Sequence, residues 1–398
     1  MELANRIKKM QGSQTSAAAA KARALQAQGI DVISLAVGEP DFNTPNYILE
    51  QVKEDMSAGR GHHYTDSTGI TALKQAIIDY HAEYDKVNYT LDQVFIADGA
   101  KMVLYYTFQS LLNEGDEVLI PAPYWVSYVD QVKMSDGVPV IFETSSSDNF
   151  RITPELLDQH VTDKTKLLVL NTPSNPTGAI MSEEDARAVA QYCLDHNILV
   201  VADEIYYRLV YNGHQSQSIA AISPEVKENT IVINGFSKAY AMTGWRLGYA
   251  LADNKYVGAF AKLASQINSN PAGISQFAAL AALTGPREEA VEAMRKEFEK
   301  RLNAAYEEVL TIPGFRLDFK PQGAFYLFPD ATETARLCGY ESVTDLANAF
   351  IDEAHVVGVP GVAFGKADHI RFSYATNEET FAEAMKRIRE FVQGKMAK

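Results

Sequence analysis

Short apolar runs that break off into polar residues, with stretches of helical periodicity between several of them, constrain this chain more than any other feature. The runs are Val94–Ala97, Val118–Ile120, Val138–Phe142, Leu167–Leu170, Leu199–Ala202, Ile231–Asn234 and Leu247–Leu251. Strand alternating with helix predicts an α/β fold with a mostly parallel sheet flanked by helices. One unit can be followed residue by residue. After Leu167–Leu170, Ser182 is placed to cap a helix in which Ala186, Val189, Ala190, Cys193 and Leu194 recur at helical spacing, and Leu199–Ala202 returns as the next strand. A right-handed crossover makes those strands parallel and puts their C-terminal ends on one edge of the sheet, where open α/β sheets bind ligands.

The alanine run Ala17–Ala20 starts a helix predicted to reach about Gln28. From about Pro286 the pattern changes to a charged helix through Arg301, then strand-like pieces around Ala324–Phe328 and Ile370–Tyr374. This predicts a smaller α+β domain. The expected division is a large domain over 46–285 and a composite small domain of 1–45, carrying an N-terminal arm, with 286–398. A length of 398 residues accommodates both.

Composition removes several function classes. Hydrophobic residues at 46% and charged residues at 22% describe a globular chain. A net charge of -15 with no block of Lys and Arg argues against nucleic acid as a partner. Cys193 and Cys338 cannot form a disulfide framework, and Cys193 falls on the apolar side of its helix, so a reducing cytoplasm is the expected location. No apolar stretch follows Arg6, Lys8 and Lys9, and no run approaches the ~18 residues of a membrane span, so neither secretion nor a membrane is expected. The eight histidines show no ligand-like spacing, and His62-His63 is an adjacent pair, so no metal is expected. No Gly-x-Gly-x-x-Gly follows a predicted strand, which removes a nicotinamide dehydrogenase.

Chemistry concentrates where strands end. Asn171 through Gly178, Asp203 through Tyr206, and Ser237 with Lys238 each follow an apolar run, and Gly99-Ala100-Lys101 opens a helix whose free N–H groups can receive a phosphate. Together they offer an amine, a carboxylate, a phenol, an amide and an anion cradle. Pyridoxal phosphate needs that set: a lysine for its aldehyde, an acid for its ring nitrogen, donors for O3′, and cations and N–H groups for its phosphate.

The run Gly235-Phe236-Ser237-Lys238-Ala239-Tyr240-Ala241-Met242-Thr243-Gly244-Trp245-Arg246-Leu247-Gly248 resembles the lysine signature of class I, fold type I aminotransferases. Asn171-Thr172-Pro173-Ser174-Asn175-Pro176-Thr177-Gly178, Asp203-Glu204-Ile205-Tyr206 and Arg371-Phe372-Ser373-Tyr374 match the same family in the same order, and the similarity runs from Gly38-Glu39-Pro40-Asp41 to Arg371. The resemblance implies that Lys238 carries pyridoxal phosphate as a Schiff base and acts as general base, with Asp203 on the ring nitrogen and Tyr206 and Asn175 on O3′. It implies phosphate contacts from Ser237, Arg246 and Gly99-Ala100-Lys101, stacking by Trp125, and a substrate site with Gly38, Trp125 and Asn175 in which Arg371 grips the α-carboxylate. Tyr64 would reach the phosphate of a neighbouring subunit, which implies a homodimer with shared active sites.

Alternatives stay open at single residues. Asp203-Glu204 could cap a following helix, Trp125 could be a core aromatic, and alternation in Ile370–Tyr374 would turn Arg371 to solvent. The Asn175-Pro176 bond is a candidate cis peptide. Lys101, with Ser13 and Thr15, resembles the pocket of the aspartate aminotransferase subgroup lacking a second substrate arginine, which implies aspartate as donor and 2-oxoglutarate as acceptor. A neutral pocket would instead suit aromatic or varied amino acids. A β-lyase would share the cofactor contacts, whereas a non-catalytic regulator module would need a DNA-binding segment for which no room is expected before Gly38.

Overall fold

The computed structural model describes residues 2–3, 5–8, 10, 12 and 14–397, with only the backbone of 5, 6 and 14–16. Its strands, in chain order, are β1 Ile33–Ser34, β2 Val94–Ala97, β3 Glu117–Ala122, β4 Val138–Glu143, β5 Thr165–Asn171, β6 Leu199–Asp203, β7 Thr230–Gly235, β8 Gly248–Leu251, β9 Tyr326–Leu327, β10 Val356–Val357, β11 Val359–Pro360 and β12 Ile370–Ser373. All seven apolar runs named above become one sheet, ordered β2-β8-β7-β6-β5-β3-β4.

Four neighbouring pairs, from β4 through β7, are parallel, and β8 runs against both of its neighbours. The reversal has a local cause. The connection 236–247 contains only the 3-10 turn Thr243–Trp245 and no helix to carry the chain back across the sheet, so β8 descends beside β7. β6 and β7 are buried at every position, as strands covered on both faces must be.

The crossover between β5 and β6 forms as its sequence dictates. Ser182 accepts a hydrogen bond from the Asp185 amide, Glu183, Glu184 and Asp185 occupy the first turn, and Val189, Ala190 and Cys193 are buried along Glu183–Asp195. Such a cap contributes about 1 kcal/mol, and acids at a helix N-terminus add to it. The register then sets Asn171 beside Asp203 and Gly235 beside Gly248 at the strand ends.

The alanine-rich helix spans Gln14–Ala27. The charged helix runs Arg287–Leu310, nine residues past Arg301, because Leu302, Ala305 and Val309 continue its buried stripe. It packs on Glu378–Met396. The piece around Ala324–Phe328 pairs only at β9, which joins β12 and β11 in an antiparallel three-stranded sheet, while β1 pairs with β10 in parallel. Every residue of β12 is buried, Arg371 included. The alternation in this strand does not turn Arg371 to solvent, because its second face packs against the rest of the protein. Among the described residues no helix is long and apolar enough to cross a membrane, and no His, Cys, Asp and Glu group could hold a metal.

Candidate active site

The polar segments that follow β2, β5, β6 and β7 meet at one edge of the sheet, since those four strands share a direction. They form a cleft of about 380 Å³ whose walls include Gly38, Ala100, Lys101, Trp125, Asn175, Asp203, Tyr206, Ser237, Lys238, Arg246 and Arg371. Gly99 adjoins it beneath Arg246. Tyr64 stands apart and is 91% exposed. Ser13 and the Thr15 side chain lie outside the described residues.

Of the cations in the cleft, Lys238 and Arg371 are held by neutral oxygens, with no carboxylate partner among the described residues. Lys238 donates to the Gly38 carbonyl at 2.6 Å, and burial pulls its amine down to about 8. Arg371 donates from Nη1 to Asn175 Oδ1 at 2.9 Å and from Nη2 to the Ala36 carbonyl at 2.7 Å, while its buried Nε has no partner. The Tyr326 and Phe364 rings lie 4.4 and 4.9 Å from the guanidinium, and burial lowers its proton affinity. An arginine stripped of water and presented with an unused donor is built to receive a planar anion.

Asp203 ends β6 and is buried, and burial pushes its carboxyl up to about 6 against the pull of a hydrogen bond from the Tyr128 hydroxyl at 2.7 Å. It caps no helix, since none follows β6 directly. Glu204 points elsewhere, accepting from Ser218 and from the Ile219 amide. The Tyr206 hydroxyl shares a 2.8 Å hydrogen bond with that of Tyr326.

At the other end of the cleft, the helix Ala100–Leu111 begins after Gly99, whose φ of 96° belongs to glycine. A Cβ there would lie 2.6 Å from Arg246 Nη2, and one on Gly248 would lie 2.4 Å from the Ala100 amide. These glycines let β8, the helix start and the arginine close into an anion cradle. Lys101 Nζ sits 4.7 Å from the Trp125 ring centroid, its proton affinity lowered by burial and by Arg246. Ala122-Pro123 and Thr172-Pro173 are cis as well as Asn175-Pro176.

Three residues of the site carried no role in the sequence reading. Asn171 links the others, donating to the Asp203 carbonyl at 2.9 Å and accepting from the Asn175 amide at 2.8 Å. Its signal was present, as the first polar residue after an apolar run. Tyr128 and Tyr326 belong to none of the motifs singled out in the sequence, and only spacing from Trp125 on one helical turn could have flagged Tyr128.

A family model described as aminotransferase class I and II matches residues 30–388. The aspartate aminotransferase of a Bacillus species, strain YM-2, is 50% identical over 391 residues, covering 98% of this chain and 99% of that protein. The aspartate aminotransferase of Geobacillus stearothermophilus is 47% identical over 395 residues, covering 99% and 100%. Among solved structures, the aspartate aminotransferase of Thermus thermophilus with maleate superposes with a TM-score of 0.91 at 35% identity, covering 98% of this chain and 99% of that one.

Proposed function

The chain belongs to the class I and II aminotransferases, and from that footing we propose that it moves the amino group of aspartate to 2-oxoglutarate, with Lys238 as its catalytic residue. Pyridoxal phosphate is the cofactor of this family, and when bound it supplies a ring that withdraws electrons from the carbon bearing the amino group. The cleft suits that group: a neutralisable buried amine, a buried carboxylate, and a glycine-lined cradle kept open beneath Arg246.

Each side chain then has a task set by its chemistry. Lys238 attacks and carries protons through Nζ, which burial makes easier to deprotonate than an ordinary lysine. Asp203 faces the ring nitrogen, and Tyr206 and Asn175 donate to O3′. Ser237, Arg246 and the turn at Gly99-Ala100-Lys101 receive the phosphate, and Trp125 covers the ring. Arg371 takes the α-carboxylate as a fork, with Gly38 beside it. The observation that carries the reading is the pairing of a part-buried Lys238 and a fully buried Arg371 in one cleft, both without a carboxylate partner among the described residues.

Lys101 supplies the cation for the second carboxylate, with Ser13 and Thr15, as in the subgroup without a second substrate arginine. Its place against Trp125 supports this, as does the presence of maleate, a dicarboxylate, with the Thermus thermophilus enzyme. Tyr64, exposed in the single chain, reaches the phosphate of a second copy in a cytoplasmic homodimer. Residues 46–285 form the cofactor-binding domain, and 1–45 with 286–398 the smaller one.

Visible absorption during titration tests the reading. Aspartate should bleach the band of the Lys238-bound cofactor and 2-oxoglutarate should restore it. Lys238→Ala should show no such band, and Lys101→Ser should lower kcat/KM for aspartate while sparing an aromatic donor. A band that ignores aspartate moves the substrate class to neutral amino acids, and no band at all overturns the cofactor assignment.

A further inference from the structure

We infer that Tyr128 is a positioning residue of the cofactor site: its hydroxyl keeps the Asp203 carboxylate charged and aimed at the ring nitrogen. The inference rests on the reading of the cleft given above and adds to it a residue on which that reading does not draw.

Tyr128 lies near the start of the helix Ser127–Met134, one turn past Trp125, and is 2% exposed. Its hydroxyl donates to Asp203 Oδ2 at 2.7 Å. The other oxygen, Oδ1, receives only the Ile205 amide at 3.3 Å. The tyrosine therefore supplies the shorter of the two donors that this buried carboxylate has from the protein. Burial and the nearby Asp203 charge raise the phenol well above its usual range, so the proton stays on the tyrosine oxygen. A short O–H···O⁻ contact in a dry site is of the strong, charge-assisted kind.

The surroundings give the ring a packing role and the hydroxyl a polar one. Trp125 meets the Tyr128 ring edge to face at 5.4 Å, so the residue that covers the cofactor and the one that holds its acid are locked together. On one side Tyr128 borders the cofactor cleft, and on the other a second cavity of about 470 Å³ lined also by Tyr124, Phe150 and Met181. The ring also belongs to the buried core cluster that holds Val118, Ile120 and Val132, so packing fixes the ring and leaves the hydroxyl to a single polar partner.

Without the donor, a buried carboxylate becomes more basic, holds its charge less well, and steadies a protonated ring nitrogen less. Loss of that positive charge would also raise the proton affinity of Lys238 Nζ where it joins the cofactor.

Equilibrium titration of the apoprotein with pyridoxal phosphate tests this in wild type, Tyr128→Phe, Asp203→Asn and the double variant. Tyr128→Phe should weaken cofactor binding about tenfold, the range of one hydrogen bond to a charged group, and the Lys238-bound band should titrate at higher pH. In the Asp203→Asn background the same change should alter neither. An equal loss in both backgrounds would mean a packing role and overturn the inference, as would no change in the wild-type background. A wild type that takes up no cofactor would overturn the prior reading instead, and is seen before any variant is compared.

Discussion

Taking a charged lysine out of water raises its free energy, and the rest of the fold must offset that. Lys238 carries the cost openly: burial lowers it from 10.5 to about 8, and its amine is held by a neutral carbonyl, not by an acid. Between about 8 and 10.5 the unfolded chain binds more protons than the folded one, so stability rises with pH across that window, and below 8 the full penalty applies. Lys238→Met should therefore stabilise the apoprotein at pH 7 by on the order of 2 kcal/mol, and the gain should shrink as pH climbs toward 10.5. Urea unfolding at pH 7 and 9.5 measures it, and a variant no more stable than wild type at pH 7 would show that the burial is not penalised. The segments holding Lys238 and Asp203 were legible as polar stretches after apolar runs, but a lysine there looks like any surface charge, and only the run Gly235–Gly248 singled out Lys238. The burial of Arg371 was not, since strand alternation reports only which residues share a face and not what later covers the other one. Tyr128 and Tyr326 escaped for a related reason: a tyrosine beside apolar neighbours looks the same whether or not its hydroxyl has a task.

Elements place these residues by direction and by close approach. The helix Ala100–Leu111 points its free amides into the cleft, and Gly99 turns the chain with φ 96° and ψ 156°, a region that side chains hardly enter. Gly99→Ala carries backbone strain of roughly 1–3 kcal/mol. Its Cβ would also displace Arg246 Nη2, 2.6 Å away. The expected outcome is a lower melting temperature together with cofactor binding at least ~10-fold weaker. A thermal melt with a cofactor titration separates the two effects, and unchanged binding would detach the turn from the phosphate. At this scale most of the sheet was legible, because buried parallel strands announce themselves as unbroken apolar runs. The reversal of β8 was not, because an apolar run does not state its direction. That information lay in what 236–247 lacks, a crossover helix.

Across the whole molecule, one short segment ties the distant parts of the site together. β1 pairs with β10, and from there residues 36–38 pass between the two cations: the Ala36 carbonyl accepts from Arg371, and the Gly38 carbonyl accepts from Lys238. Asp41 then anchors the segment on Arg301 at 2.7 Å. Gly38 has room only for a hydrogen where it passes Tyr326, since a Cβ would lie 2.5 Å from the Tyr326 hydroxyl. That tyrosine is fully buried and bonded to Tyr206, so it has nowhere to retreat. Gly38→Ala must therefore shift the segment and not the ring, pulling one carbonyl from the residue that holds the cofactor and another from the residue that holds the substrate. Misplacement on the scale of an ångström at reacting groups costs about 10²-fold. The variant should lose kcat/KM for amino acids to that extent while the phosphate cradle, built from Gly99 and Arg246 at the far end, keeps cofactor affinity within a few-fold. If steady-state kinetics with a parallel cofactor titration showed instead an equal loss in both, the segment would serve the cofactor alone, and the link it makes between Lys238 and Arg371 would carry no catalytic consequence.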